Sequence, residues 1–560
     1  MRAGYPYIYD IMGWPVADDD YQQRQDEAQV PTIVDPDTGD WGYSVSPDSN
    51  PIRWCKLLLL REGDLENDIR RSEQLRASRA RLAESKLFKD TGLVGLIAHF
   101  LRGIWGHALE EIEREESLLG VRLKVAITIP AMWPDYAKEQ MNAAVRVAGI
   151  LNPQPIGAAS ITLSWVREPE AAALCTLREQ LKQVEIGESF IVCDCGGGTV
   201  DIITYTVESI HPLQFKEAVE GAGKLCGAFL IDQAFENHIM SGQKFKFRKC
   251  STEEFRRFTH RVWEHGLKRN FNAIREPSRR SWASTSERRH DFFTLEPLPA
   301  SQWFSDSYTG IRFLIGDQQR RLRRLGIKPA KNIFLVGGLG SSRYLHTMLH
   351  NQFMNILQVK RTWSAVARGA TMAVLEGMTV NSRVSRQSYG IQIWMKAARA
   401  KPAFSFLEDD ISWDSDGTAR VSRMLWYFKE GERSDPSRKP VSHRLYMDVD
   451  DGEDLTDLTF HVYTCSSETP PCRMDSSVQP VYRLRCALPA GVGDWRTATD
   501  DENHTFQRLD KICLTMKFGG SEPTWALRVG NVAVSEHLEV EYVGSTMEKD
   551  FEGRCRVGLL

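Results

Sequence analysis

The sequence predicts an α/β protein that ends in a β-rich region, and three observations carry that prediction. Two strand-and-glycine-turn units lie far apart, at 190–207 and 332–353. Around them, apolar residues recur at helical spacing. From about Ser382 the helical period fades, and short strand-like runs alternate with turns. A chain of 560 residues is too long for a single core, so several structural units are expected.

Residues 1–50 are polar and turn-rich, while Ile52–Leu60 (IRWCKLLLL) is apolar and holds Lys56. Arg, Glu, Ala and Leu crowd 61–91, which suits a solvated helix. Leu93, Ile97, Phe100, Leu101, Ile104 and Ile112 mark an amphipathic helix over 93–116. Val121–Ile129 alternates as a strand, Pro130 ends it, and Pro134 opens a helix reaching about Ile150. A strand at 161–166 and a helix at 168–183 precede the first glycine unit. Helices are expected at 223–240, 252–272, 309–325, 343–353 and 364–377, with a strand over Asn332–Val336. The Ser-, Arg- and Pro-rich stretch 273–300 reads as a surface insertion, either a solvated loop or a basic contact for a partner. Beyond Ser382, the runs YGIQIW, SRMLWYF, LTFHVYTC, VYRLRCAL, CLTMKFGG and HLEVEYVG read as strands.

Composition excludes several classes. Hydrophobic content of 42%, charged content of 26% and a net charge of −3 are those of an ordinary globular chain. They suggest neither nucleic acid nor an acidic membrane surface as a partner. No run is apolar enough to span a membrane, and the first residues lack the pattern of a signal peptide. The eleven cysteines are scattered, as reduced thiols of a cytoplasmic protein would be. Cys193 and Cys195 share one side of a strand, either as a metal or redox pair or as two small buried hydrophobes. Cys465 and Cys472 lack a second pair at zinc spacing and read as structural.

The stretch Phe190–Val207 (FIVCDCGGGTVDIITYTV) holds the candidate chemistry. Gly196, Gly197 and Gly198 allow φ > 0 and keep Cβ atoms away from an approaching ligand. Asp194, Asp201 and Thr199 flank that bend, an arrangement able to hold a phosphate and its Mg²⁺. An ordinary hairpin turn has the same composition. The second unit, NIFLVGGLGSSR, runs from strand to helix through Gly337, Gly338 and Gly340, where backbone N–H groups approach a ligand. It is neither a dinucleotide fingerprint nor a P-loop.

Four motifs in order resemble the actin-like ATPase domain of the 70-kilodalton heat-shock chaperone family, in particular divergent relatives common in fungi. They are KVAITIPAMWPDYAKEQMNAAVRVAG (124–149), EPEAAAL (168–174), DCGGGTVD (194–201) and NIFLVGGLGSSR (332–343), with AVARGA at 365–370. The resemblance implies a two-lobed actin-like, ribonuclease H-like fold. Lobe I would cover 1–185, the second phosphate motif and lobe II 186–382, and a β-rich C-terminal domain 383–560. It implies ATP or ADP with Mg²⁺ as the bound group.

By the same resemblance, Gly196, Gly197, Gly198 and Thr199 would contact phosphate, and Asp194 and Asp201 would order water on Mg²⁺. Glu168 would position the attacking water, and Lys56 would neutralise terminal phosphate charge. Glu264, Lys268 and Arg269 would clasp the adenosine, although a charged helix face has the same pattern. Gly337, Gly338 and Arg343 would back the base. Family members open with a segment of the type xGIDxGTTxS, which is absent here, so lobe I is expected to lack its first hairpin. The chain is then either a truncated working ATPase or a degenerate relative whose hydrolysis is impaired. Two functions follow. One is an ATP-binding, heat-shock-70-like chaperone with protein clients or co-chaperones. The other is a non-catalytic interaction protein on an inherited scaffold. A sugar or metabolite kinase shares the fold, but the chain carries no acceptor-binding signature.

Overall fold

A computed structural model describes residues 8–16, 29–46, 49–65, 67–114, 122–131, 133–153, 161–179, 184–210, 213–241, 263, 268, 271, 278–283, 290–295, 301–359, 361–376, 380, 382–396, 411–413, 419–434, 438–450, 456–467, 469–489, 491–493, 495–499, 505–518, 523–542 and 555–559. Two compact units divide the chain, Met1–Val380 and Asn381–Leu560. The protein is mixed α/β, with its C-terminal region rich in strands.

The first unit opens with short helices, α1 (Cys55–Leu58) and α2 (Asn67–Arg70), then α3 (Glu73–Glu84) and α4 (Gly92–Arg114). Ser72 caps α3 by accepting from the Leu75 N–H. Strand β1 (Lys124–Ile129) leads through α5 (Asp135–Ala148) to β2 (Thr162–Arg167), and the two strands pair in parallel. Pro134 immediately precedes α5, and Gly149 closes it in the left-handed conformation at φ +77°. Helix α6 (Glu168–Glu179) begins directly after β2.

A five-stranded sheet forms the centre of this unit, in the order β5 (Leu213–Lys224), β4 (Val200–Ile210), β3 (Ser189–Cys195), β8 (Asn332–Val336), β9 (Ile356–Gln358). β3 pairs antiparallel with β4 and β4 with β5, whereas β3, β8 and β9 run parallel. Both faces are apolar, as a central sheet requires. Ile191, Cys193, Cys195 and Ile202 face one core, shared with Ile231 and Phe235 of α7 (Ala228–Ser241), Ile311 and Ile315 of α8 (Ser305–Arg324), and Leu345 of α9 (Arg343–His350). Phe190, Val192, Ile203 and Tyr205 face the other, against Ala172 and Leu174 of α6 and Ala365 of α10 (Ala365–Glu376). The AVARGA motif has a packing reason here: a side chain at Gly369 of α10 would collide with the backbone of Ala171 in α6.

Some expectations change. The helix expected from 223 starts only at Ala228, as α7, because Leu213–Lys224 form β5. The run Leu213–Lys224 alternates buried and half-buried residues over much of its length, a strand period that its charged residues obscured. Within the expected insertion at 273–300, β6 (Ser278–Ala283) and β7 (His290–Leu295) make a hairpin. Of the expected helix at 252–272, only Trp263, Lys268 and Phe271 are described.

In the second unit, twelve strands of the described residues share one sheet, and a two-stranded pair lies beside it in sequence. All six strand-like runs read from the sequence fall on its strands. Alternate residues such as Leu445, Met447 and Val449, or Leu458, Phe460 and Val462, build its core. Among the described residues no helix is long and apolar enough to cross a membrane.

Candidate functional site

Two strand directions create the site. β3 and β8 are parallel neighbours, with Asp194 in register with Val336, so both chains leave the sheet at one edge. The glycine turns at 196–198 and 337–338 therefore sit side by side. Gly337 takes φ +81°, and a side chain there would lie 2.5 Å from Asp194 Oδ1. Only glycine meets both demands, the left-handed backbone and the close approach. Gly338 is exposed, and a Cβ there would meet nothing within 4 Å.

The first glycine turn differs from expectation. Gly196, Gly197 and Gly198 lie outside the left-handed region. Their smallness serves proximity instead. A Cβ at Gly197 would lie 3.3 Å from the Trp54 ring, and one at Gly198 3.1 Å from Leu57. On the other side of the turn, the start of α7 is bonded to it. Gly227, Ala228 and Phe229 donate their N–H groups to the carbonyls of Gly198, Gly196 and Gly197 at 3.2, 3.2 and 2.8 Å. These are the orphan donors of a helix start, satisfied by loop carbonyls. Gly196 N–H donates to Thr199 O at 3.0 Å. Among the described residues, the N–H groups of Gly197 and Gly198 donate to no backbone carbonyl.

Acidic side chains gather under the turn. Asp194 and Asp201 are directly opposite in the β3–β4 ladder, so both carboxylates project from one face. Both are buried, as is Glu168 at the first position of α6. The Lys56 ammonium of α1 bonds to Glu168 Oε1, with the lysine side chain 51% exposed and that of Glu168 9%. Thr199 Oγ1 donates to Asp201 Oδ2 at 3.2 Å. Burial, followed by the charges of Glu168 and Asp201, pushes the Asp194 carboxyl up to about 8 against the pull of Lys56. Burial acts to lower Lys56, but Glu168, Asp194 and Asp201 together hold it above its ordinary value. Three carboxylates thus share one lysine. That arrangement favours a proton or a cation, and among the described residues no three His, Cys, Asp or Glu form a metal cage. The donor set suits a hydrated Mg²⁺, which keeps several of its waters, better than a bare ion.

The structure therefore brings Lys56, Glu168, Asp194, Thr199, Asp201, the first glycine turn and Gly337 together. It gives Lys268 another partner: its ammonium pairs with Asp232 of α7 at 2.8 Å, and Trp263 Nε1 donates to the same carboxylate. Arg343 is exposed at the start of α9, where Ser342 caps the helix. Glu264 and Arg269 lie outside the described residues. The Sγ atoms of Cys193 and Cys195 are 3.6 Å apart, both buried in the core, and both thiols are free. Trp54, Leu57 and Gly227 escaped the sequence reading. The signal for Gly227 was its place between β5 and an apolar helix, whereas Trp54 and Leu57 read as ordinary core.

No family model matches the chain. A curated protein that it resembles is Heat shock 70 kDa protein 12B of Homo sapiens, 27% identical over 195 aligned residues that cover 25% of this chain and 28% of that protein. The match spans less than a third of that protein's length, 28%. Over that part, the chain is similar to a heat-shock 70 kDa protein.

Proposed function

We propose that the first unit binds MgATP on an actin-like scaffold and acts as a heat-shock-70-like ATPase. The observation that carries this reading is the pair of glycine turns leaving one sheet edge, with Asp194 beneath both. Bound MgATP would supply the transferable phosphoryl group and the divalent charge. The N–H groups of Gly197 and Gly198 would receive phosphate oxygens, and Thr199 would add a hydroxyl. Asp194 and Asp201 would hold the waters of Mg²⁺, which relieves the repulsion between two buried carboxylates. Lys56 would move part of its charge from Glu168 to the terminal phosphate, freeing Glu168 to orient a water. ADP would occupy the same site after hydrolysis, and the partners would be protein clients or co-chaperones.

Isothermal titration tests the reading. Wild type is expected to bind MgATP at micromolar concentration and Asp194→Ala at least tenfold more weakly. Silence of the wild type at millimolar MgATP rejects it. A second reading, a non-catalytic interaction protein, draws support from the packing of Trp54 and Leu57 on the glycine turn, which leaves less room for a phosphate chain. Turnover that disappears in Glu168→Gln would exclude that alternative.

A further inference from the structure

Trp54 is the residue at the start of α1, next to the first glycine turn. It has φ 63° and ψ 35°, the left-handed region, although it is bulky and not glycine. A large side chain occupies that region only where its surroundings hold it. One ring contact and one close neighbour do so here. Its ring meets Phe229 edge to face, with centroids 5.2 Å apart and planes at 78°. Its Cζ3 also lies 3.3 Å from the position a Gly197 Cβ would take. Phe229 is fully buried, and its N–H donates to Gly197 O at 2.8 Å. Indole, glycine turn and α7 start therefore form one locked contact.

The same residue starts α1. Trp54 O accepts from Leu57 N and Leu58 N at 2.8 and 3.1 Å, so its dihedrals set the direction in which α1 leaves. Lys56 sits two residues on, and its ammonium reaches Glu168 across 112 residues of sequence. A helix of four residues, Cys55–Leu58, has little intrinsic stability, so its aim must come from its anchor.

We propose that Trp54 is a positioning residue: its ring, seated on Gly197 and Phe229, holds a left-handed turn that aims Lys56 at the carboxylate cluster. The consequence for affinity rests on the nucleotide reading above, but the aim of Lys56 does not. With the ring removed, the turn loses its anchor, and Lys56 leaves Glu168 for solvent. The ring also sets how closely α1 approaches the glycine turn, and so the width left for a phosphate chain.

Two substitutions separate ring from backbone. Trp54→Phe keeps an aromatic ring at the contact, whereas Trp54→Gly suits the left-handed backbone but removes the ring. In the full chain without nucleotide, brief amine acylation followed by peptide mass mapping reads Lys56 directly. Wild type and Trp54→Phe are expected to label Lys56 slowly and alike. Trp54→Gly should label it at least threefold faster, with the other lysines unchanged. In titrations, Trp54→Gly should lose at least tenfold in MgATP affinity while keeping its affinity for AMP, which lacks the β- and γ-phosphates and so offers Lys56 nothing to meet. Wild-type labelling of Lys56 in Trp54→Gly overturns the proposal. So does Trp54→Phe labelling as fast as Trp54→Gly, because the ring contact would then not hold the turn. Failure of the wild type to bind MgATP overturns the nucleotide reading instead, and the labelling result still decides the role of Trp54.

Discussion

Asp194 and Asp201 face each other across a hairpin with one lysine within electrostatic reach, and that imbalance has a measurable cost. The Asp194 carboxyl is raised from 3.8 to about 8, so its folded form prefers the proton. Its contribution to stability is therefore full below about pH 4 and is lost as pH rises towards 8. Asp194→Asn removes the titration. Without nucleotide, that variant should be more stable than wild type at pH 7.5, by on the order of a few kcal/mol, with the gap shrinking towards pH 4.5. Thermal unfolding at several pH values measures it, and a gap that is constant with pH would refute the assignment. Lys56→Met should act in the opposite direction. It leaves Glu168 buried without its cation, at a cost of about 1–2 kcal/mol because the lysine is half-exposed. Denaturant midpoints at pH 7.5 check this, and an unchanged midpoint would mean that the pair contributes nothing. Asp194, Thr199 and Asp201 were legible in the sequence because they lie within eight residues on one hairpin. The pairing of Lys56 with Glu168 was not legible, since 112 residues separate them, and the resemblance gave each a separate role without pairing them.

Among the elements, glycines do two separable jobs. Gly337 has a left-handed backbone, and a Cβ there would lie 2.5 Å from Asp194 Oδ1, whereas a Cβ at Gly338 would face open space. Gly337→Ala should thus cost about 1–3 kcal/mol of stability. Gly338→Ala should leave stability within about 0.5 kcal/mol, yet weaken MgATP binding. Chemical denaturation and titration of the two variants read the two effects apart. Equal destabilisation by both would show that the second turn is structural throughout. Gly369→Ala is a third case, because its Cβ meets the Ala171 backbone where α6 and α10 touch. Separating two helices costs more than rotating a side chain. Helices and strands with a clean period were readable in advance, as in Gly92–Arg114 and Lys124–Ile129. β5 was not, because Lys216, Glu217, Glu220 and Lys224 interrupt its apolar run. Glu217 is fully buried, a placement that hydropathy alone disfavours.

For the whole molecule, each compact unit has its own apolar core. The stretch 381–560 buries Leu445, Val462, Leu484, Leu514 and Leu527 without help from the first unit's core. Expressed alone, it should unfold cooperatively and give a β-type circular dichroism spectrum. A non-cooperative melt would show that its strands need the rest of the chain. The β-rich texture after Ser382 was readable because alternation is local. The order of twelve strands was not, because neighbours such as Val441–Asp450 and Cys555–Leu559 are about a hundred residues apart.

Residue pattern by itself determined the hairpin around 196–198, most helices, and the strand character of the C-terminal region, since period and glycine placement act over a few residues. Tertiary structure alone decided that β8 lies against β3, that three carboxylates share one lysine, and that Trp54 holds a left-handed turn. These outcomes depend on which apolar faces are buried together after long loops close, and that balance of loop entropy against burial is not written in any short stretch of the chain.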